Sequence, residues 1–373
     1  MLKETVSSKI SGCNWPENRK INVTLQNCCT IYVQTPSLRY MANSILITGA
    51  SGFIGSFIVE EALRRDMDVW AAVRPTSSHK YLTDSRIHFL NVDFSTKDSV
   101  MQSLAGHHFD YVVHAAGVTK CLHKDDFRRV NTEGTKHLVD ALIESGMAVK
   151  RFIFISSLSV FGAIHETMPY QDITEHDYPK PNTAYGRSKL DAELYVEMAA
   201  RKLPCIILRP TGVYGPRERD YYLMALSIKR HIDFAVGFCR QDITFVYVKD
   251  VVQAVFLALD HGKSGRKYFL TDGGVYSSAD FSERLRREMG NPWVLRLTAP
   301  LWVLRTVTAV CEAAGKITGK VTALNNDKYN ILSQRNWRCD IEPTMDELGY
   351  HPHYDLDRGV AETVEWYKQN GWL

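Results

Sequence analysis

Ile45-Leu46-Ile47-Thr48-Gly49-Ala50-Ser51-Gly52-Phe53-Ile54-Gly55 decides how this chain is read. An apolar run enters three glycines spaced three apart and leaves through Ile58-Val59-Glu60-Glu61-Ala62-Leu63, whose apolar positions recur at helical spacing. Strand, glycine turn and helix, in that order, suit a dinucleotide pyrophosphate. Gly49 permits a tight turn, Gly52 lets backbone approach the phosphates, and Gly55 lets the helix pack close to the strand. The helix N-terminus adds unpaired N–H groups and the positive end of its dipole. The spacing is G-x-x-G-x-x-G, not the commoner G-x-G-x-x-G, so the flanking strand and helix give the motif its weight.

The alternation continues outward. Residues 69–73, 87–92, 110–115, 151–156 and 205–209 are short apolar runs that read as the second to sixth strands, with helical patterns between them, as at 126–145 and 184–201. Such strands alternating with helices predict a parallel sheet covered on both faces: an α/β, doubly wound Rossmann domain. It is expected over residues 41–210, with 241–270 returning to it because 244–259 reads as a strand of the main sheet and its flanking helix. Beyond Pro210 turn-rich segments mix with helices, so 211–240 and 271–373 are expected to form a smaller substrate or lid domain. Residues 1–40 carry scattered charge and no sustained period, and Met41 leads straight into the first strand. They are expected to be a disordered tail or a mis-assigned start.

Composition excludes several function classes. With 45% hydrophobic and 23% charged residues the chain of 373 is that of an ordinary globular protein. A net charge of +3 and no dense Lys/Arg stripe argue against nucleic acid. No apolar run has the length of a membrane span; the nearest, 297–311, is broken by Arg305 and reads as an amphipathic helix over a core or an apolar substrate. Eight cysteines include no C-x-x-C pair, which suits free thiols in a reducing compartment, hence a cytoplasmic location, and speaks against a metal site.

At the end of the second strand an NAD-binding unit places an acidic residue about 20 positions beyond the glycines. Here Arg74 stands nineteen residues after Gly55, followed by Pro75-Thr76-Ser77-Ser78. A guanidinium pairs with a 2′-phosphate in forked geometry, which favours NADP(H) over NAD(H). Asp93, ending the third strand, is expected at the adenine.

Chemistry comes from two further segments. Tyr185-Gly186-Arg187-Ser188-Lys189 lies in a helical pattern, so Tyr185 and Lys189 share a face. A phenol titrates near 10; a nearby ammonium is expected to lower that value and make Tyr185 a general acid/base. Phe154-Ile155-Ser156-Ser157-Leu158-Ser159-Val160-Phe161-Gly162 carries hydroxyls at the carboxyl end of the fifth strand, the edge where open α/β sheets bind ligands. There Ser157 would hydrogen-bond the reacting oxygen.

Taken together these pieces resemble the extended short-chain dehydrogenase/reductases, the NAD-dependent epimerase/dehydratase group. The resemblance rests also on His114-Ala115-Ala116-Gly117, Asn131-Thr132-Glu133-Gly134-Thr135, Leu208-Arg209-Pro210-Thr211-Gly212-Val213-Tyr214-Gly215-Pro216 and Phe245-Val246-Tyr247-Val248-Lys249-Asp250-Val251, and it runs from about Met41 to the C-terminus. It implies a catalytic set of Ser157, Tyr185 and Lys189 with Asn131 close to the reacting centre. The cofactor would be lined by Thr48, Gly49, Ser51, Gly52, Phe53, Ile54, Gly55, Arg74, Asp93, Ala115, Ala116, Gly117 and Pro210, its ribose held by Tyr185 and Lys189. A homodimer through helices that include the one bearing Tyr185 is also implied.

Departures from the family pattern narrow the reaction. Dehydratases of the family carry an Asp-Glu pair just before the place of Val160, where this chain has Leu158 and Ser159, so the extra acid and base for losing water are missing. Nucleotide-sugar epimerases commonly carry Asn at the place of Gly212 and Arg at that of Ile243; Arg217 and Arg219 are the candidates to substitute. Val73-Arg74-Pro75-Thr76-Ser77 looks like the branch of dihydroflavonol-reductase-like and 3β-hydroxysteroid-dehydrogenase-like members. The expected function is an NADP(H)-dependent oxidoreductase acting on a secondary alcohol or ketone, or an aldehyde. The alternatives are a nucleotide-sugar C4 epimerase with tightly bound NAD and a non-catalytic NADP-sensing module.

Overall fold

The computed structural model describes residues 42–319, 322 and 324–373; the expected tail lies outside them. Strand β1 (Ser44–Thr48) is buried along its whole length, and Ile45, Leu46 and Ile47 each stabilise the fold by about 1.5–3 kcal/mol of side-chain burial. The glycine turn follows, then helix α1 (Phe53–Arg64). The alternation continues through β2 (Asp68–Val73), β3 (His88–Asn91), α2 (Lys97–Leu104) and β4 (Tyr111–His114). The helix expected over 126–145 is α3 (Lys124–Phe127) widening through a π-type stretch, Arg128–Glu133, into α4 (Gly134–Glu144). β5 (Arg151–Ile155), α5 (Ala184–Ala199) and β6 (Cys205–Pro210) complete the first unit.

All pairings in the main sheet are parallel, in the order β3-β2-β1-β4-β5-β6 with a seventh strand, β10 (Lys267–Leu270), beyond β6. The chain steps outward from β1 to β3 and then returns to the other side of β1. That reversal leaves a crevice at the carboxyl ends of β1 and β4, the place where such sheets take ligands. One face of the sheet is covered by α1 and by α7 (Val248–His261), the other by α2, α4 and α5.

The C-terminal part differs from the sequence expectation in two places. β9 (Phe245–Tyr247) does not rejoin the main sheet but pairs with β7 (Gly212–Tyr214). Its aromatic side chains are drawn instead into a third core with Tyr214, Phe281 and Tyr367. The run 297–311 is not one helix: it divides between β11 (Leu295–Ala299), which pairs with β8 (Ile232–Val236), and α9 (Leu301–Thr318). Pro300 separates them, because it fixes φ and lacks the N–H needed to continue a strand. Three more helices complete this part, α6 (Asp220–Lys229), α8 (Asp280–Glu288) and α10 (Asn326–Ser333), before α11 (Glu342–Leu348) and α12 (Leu356–Gln369) close the chain. Residues 42–373 form one compact unit.

An ion pair ties α5 to the sheet. Arg209 on β6 donates to Glu193 on α5 through Nη2 at 2.6 Å and Nε at 3.1 Å, and both side chains are buried. The guanidinium also lies 5.0 Å from the centre of the Phe161 ring.

Gly55 has the least room of the three motif glycines, since a Cβ there would stand 2.1 Å from the carbonyl oxygen of Gly49. Gly55→Ala must therefore push α1 off the turn. The expected loss of unfolding free energy is about 1–3 kcal/mol, measured by chemical denaturation.

Candidate active site

Gly49 turns the chain with φ of +69° and brings it against the strand end opposite. A Cβ on Gly49 would lie 2.7 Å from the backbone of Ala115 and Ala116, so the β1 turn and the β4 loop touch main chain to main chain. Thr48 locks the same contact: its Oγ1 accepts from the amide of Ala116 at 3.3 Å and is bonded to Nδ1 of His114 at 2.6 Å. Nε2 of His114 reaches Thr135 at 2.9 Å, and burial pushes this imidazole down to about 3, so it is neutral and structural. Gly52 precedes α1, whose first turn has no side-chain cap and no acidic residue. Ser51, Phe53 and Ile54 belong to this turn. The result is a cradle lined by backbone N–H groups at a positive helix end, which fits a dinucleotide pyrophosphate.

Asn131 sits in the π-type stretch beside this cradle. Its Oδ1 accepts from the amide of Val118 at 2.8 Å, and its Nδ2 donates to the Val118 carbonyl and to Ser188 Oγ, each at 3.0 Å. It thus fastens the loop of Ala115, Ala116 and Gly117 to α5. A Cβ on Gly117 would lie 3.2 Å from Asn131 Oδ1 and 3.9 Å from Lys189 Nζ. Asn131 is therefore close to the expected centre, but its polar atoms are engaged in positioning.

Helix α5 begins where Thr183 caps the amide of Gly186 at 2.9 Å. A second cap comes from far along the chain: Asp327 on α10 accepts from the amides of Ala184 at 2.9 Å and Tyr185 at 3.3 Å. Tyr185 is partly buried and edge-on to Phe127, and the hydroxyl of Ser157, just beyond β5, lies close enough to its phenol to favour the phenolate. Ser157 donates to Ser159 Oγ at 3.1 Å.

The electrostatics correct the expectation of a phenol drawn down by lysine. Burial pushes the Tyr185 phenol up to about 12, and the interaction that offsets this comes from Ser157. Burial likewise pushes the Lys189 ammonium down to about 7, opposed by Glu193. Lys189 Nζ donates to the Ile155 carbonyl at 2.6 Å and stands 4.1 Å above the Phe154 ring. Its head group is thus directed at β5. A low-dielectric surround disfavours both charged forms.

Arg74 and Asp93 lie away from this centre, at the carboxyl ends of the outer strands β2 and β3, and both are exposed. The Arg74 guanidinium has no ion-pair partner among the described residues, whereas Asp93 accepts from Ser95 N and Oγ at 2.9 and 2.8 Å, which lowers its pKa. Pro210 ends β6 on the other side. Arg217 is not free to replace the missing arginine at Ile243. It donates to Ser56 and Glu60 on α1 and is sandwiched by Phe57 and Tyr81, with ring centres 4.2 and 4.4 Å away. Arg219 is exposed at the start of α6. The space beside Gly212 is taken by Tyr221, whose hydroxyl would stand 2.7 Å from a Cβ there. Sequence reasoning missed Thr183 and Asp327. The first is marked by a threonine just before a helical run; the second, 142 residues from Tyr185, has no local signal.

Known proteins carry the same arrangement of elements. Residues 45–270 match the NAD dependent epimerase/dehydratase family. The UDP-glucose 4-epimerase of Vibrio cholerae is 30% identical over 89% of this chain and 97% of its own length. The decarboxylating sterol-4-alpha-carboxylate 3-dehydrogenase of Schizosaccharomyces pombe is 26% identical over 87% and 97%. The crystal structure of UDP-glucuronic acid 4-epimerase from Bacillus cereus in complex with NAD superposes with a TM-score of 0.69 at 21% identity, covering 88% of this chain and 99% of that one. Since the family match spans the glycine cradle, helix α5 and six further strands of the main sheet, the chain is an enzyme that belongs to the NAD dependent epimerase/dehydratase family.

Proposed function

We propose that the chain is an NADP(H)-dependent oxidoreductase that interconverts a secondary alcohol and a ketone. The observation that carries this reading is the convergence of Ser157, Tyr185 and Lys189 at the carboxyl edge of the sheet, beside the cradle of Gly49 to Gly55. The exposed Arg74 guanidinium, with no ion-pair partner among the described residues, suits a ribose 2′-phosphate. When bound, the dinucleotide supplies or takes up the hydride. Tyr185 moves the proton at the substrate oxygen, and Ser157 donates a hydrogen bond to that oxygen as charge develops on it. A phenol held near 12 is protonated at neutral pH, the state needed to protonate a carbonyl. Lys189, when charged, stabilises the phenolate this leaves. Segments 211–240 and 271–373 supply the substrate side, and Leu194 and Met198, exposed on α5, suit a homodimer through that helix.

A second reading, C4 epimerisation of a nucleotide sugar with retained NAD, is favoured by the Vibrio cholerae relative. Against it stand the engagement of Arg217 with α1 and the filling of the Gly212 site by Tyr221. Copurifying NAD and turnover of a UDP-hexose, without NADPH-dependent reduction of apolar ketones, would select it.

Tyr185→Phe is expected to retain NADPH binding, followed by fluorescence titration, and to lose about 10²–10⁴-fold in kcat. Near-normal turnover would remove Tyr185 from the mechanism. Arg74→Glu should raise KM for NADPH by roughly tenfold or more, through loss of a charge-assisted contact, while leaving that for NADH little changed. Steady-state kinetics with both cofactors checks this.

Lys189 gives a stability signature. Its folded pKa lies near 7, below the unfolded value of 10.5, so between these values the unfolded chain binds more protons and stability rises with pH. Below about 7 the full penalty of burying the ammonium is present. Lys189→Met removes this dependence, so the Tm of wild type relative to the variant should climb from pH 7 to about 10.5 in calorimetric scans.

A further inference from the structure

Nine of the sixteen large apolar side chains that stand exposed among the described residues lie in two segments, 229–240 and 293–319. The strands β8 and β11 bring them together. Phe234 is in register with Leu297, and Ile232 with Leu295, so one face of this two-stranded sheet is apolar and turned to solvent. The opposite face carries Asp233 bonded to Arg296 and Ser282. Trp293, 71% exposed and stacked on His231, extends the apolar face at one end. Phe238, 77% exposed, lies just beyond β8 at the other. Helix α9 starts there, since Leu301 lies 3.6 Å from where a Cβ on Gly237 would be. The helix turns Leu304, Thr308 and Gly315 inward and leaves Trp302, Val307, Val310 and Ile317 outward, with Trp302 72% exposed.

The exposed charges on these segments are all of one sign. Every exposed charged side chain in 229–240 and 293–319 is basic, while the two acids, Asp233 and Glu312, are buried or partly buried and paired. Lys229, Arg230 and Arg305 have no ion-pair partner among the described residues. A two-fold contact with a second copy would set these cations against one another. Exposed aromatic and aliphatic side chains on segments that also carry unpaired cations suit the boundary of an anionic bilayer, where Trp sits at headgroup level and Lys and Arg meet lipid phosphates. No helix among the described residues is long and apolar enough to cross a membrane, so the face would lie on the bilayer.

We propose that the β8–β11 face and the outer side of α9 form a docking surface for anionic lipid membranes. The full chain is mixed with vesicles of phosphatidylcholine, alone or with phosphatidylserine, and sedimented at low and high salt. It should partition onto the anionic vesicles, less onto the neutral ones, and less in high salt. Trp302→Glu and Phe234→Asp should each lower that partition about tenfold or more, and Arg230→Glu or Arg305→Glu about fivefold. Tyr178→Glu, exposed elsewhere, should leave it unchanged. All these positions face solvent, and an unchanged Tm confirms each fold. Absence of binding to anionic vesicles overturns the proposal, as does equal binding by Trp302→Glu. A dimer in equilibrium sedimentation that Trp302→Glu dissociates would overturn it in favour of self-association.

Discussion

The contact on which the site depends is between two pieces of main chain. The turn after β1 and the loop after β4 meet where the turn has no room for a side chain, with 2.7 Å left between a Cβ on Gly49 and the backbone of Ala115 and Ala116. Parallel strands on either side of the switch point fix the distance between these two loops. Thr48, His114 and Thr135 hold it by hydrogen bonds within the core, and the imidazole stays neutral because nothing there rewards a charge. The two loops are therefore held together by contacts of the protein's own core.

Helix α5 is held differently: near its middle by the buried Arg209–Glu193 pair, one turn in by Asn131 and Thr132 on Ser188, and at its start by Thr183 and Asp327. Breaking a buried pair of this kind costs several kcal/mol because one charge is left without a partner. Tyr185 is thus held by a helix anchored at three levels, with Ser157 near its phenol.

Much of this was legible in the chain itself. Continuous apolar strands separated by helices announce a parallel sheet, and glycines between strand and helix locate the crevice. Tyr185 and Lys189 at helical spacing, with hydroxyls after β5, are the signal on which the proposed chemistry rests. What stayed hidden depends on contacts between distant positions. β9 is three residues long, and only the aromatic cluster around Tyr214 and Phe281 shows that it belongs with β7. The direction of the Tyr185 and Lys189 shifts also eluded sequence reasoning. Spacing alone brings an ammonium near a phenol, but burial outweighs that proximity, and Lys189 turns toward the carbonyl of Ile155. Arg217 looked available for a diphosphate until its place between Phe57 and Tyr81 was visible.

One carboxylate ties α10 to α5. Asp327 belongs to α10, yet it holds the first two amides of α5, one of them that of Tyr185 itself. Its neighbour Lys328 binds Asp220 at the head of α6, which Lys120 also reaches from the β4 loop. Any displacement of α10 must therefore loosen the very turn that carries the phenol. A residue 142 positions away along the chain thus shares in fixing where the phenol stands.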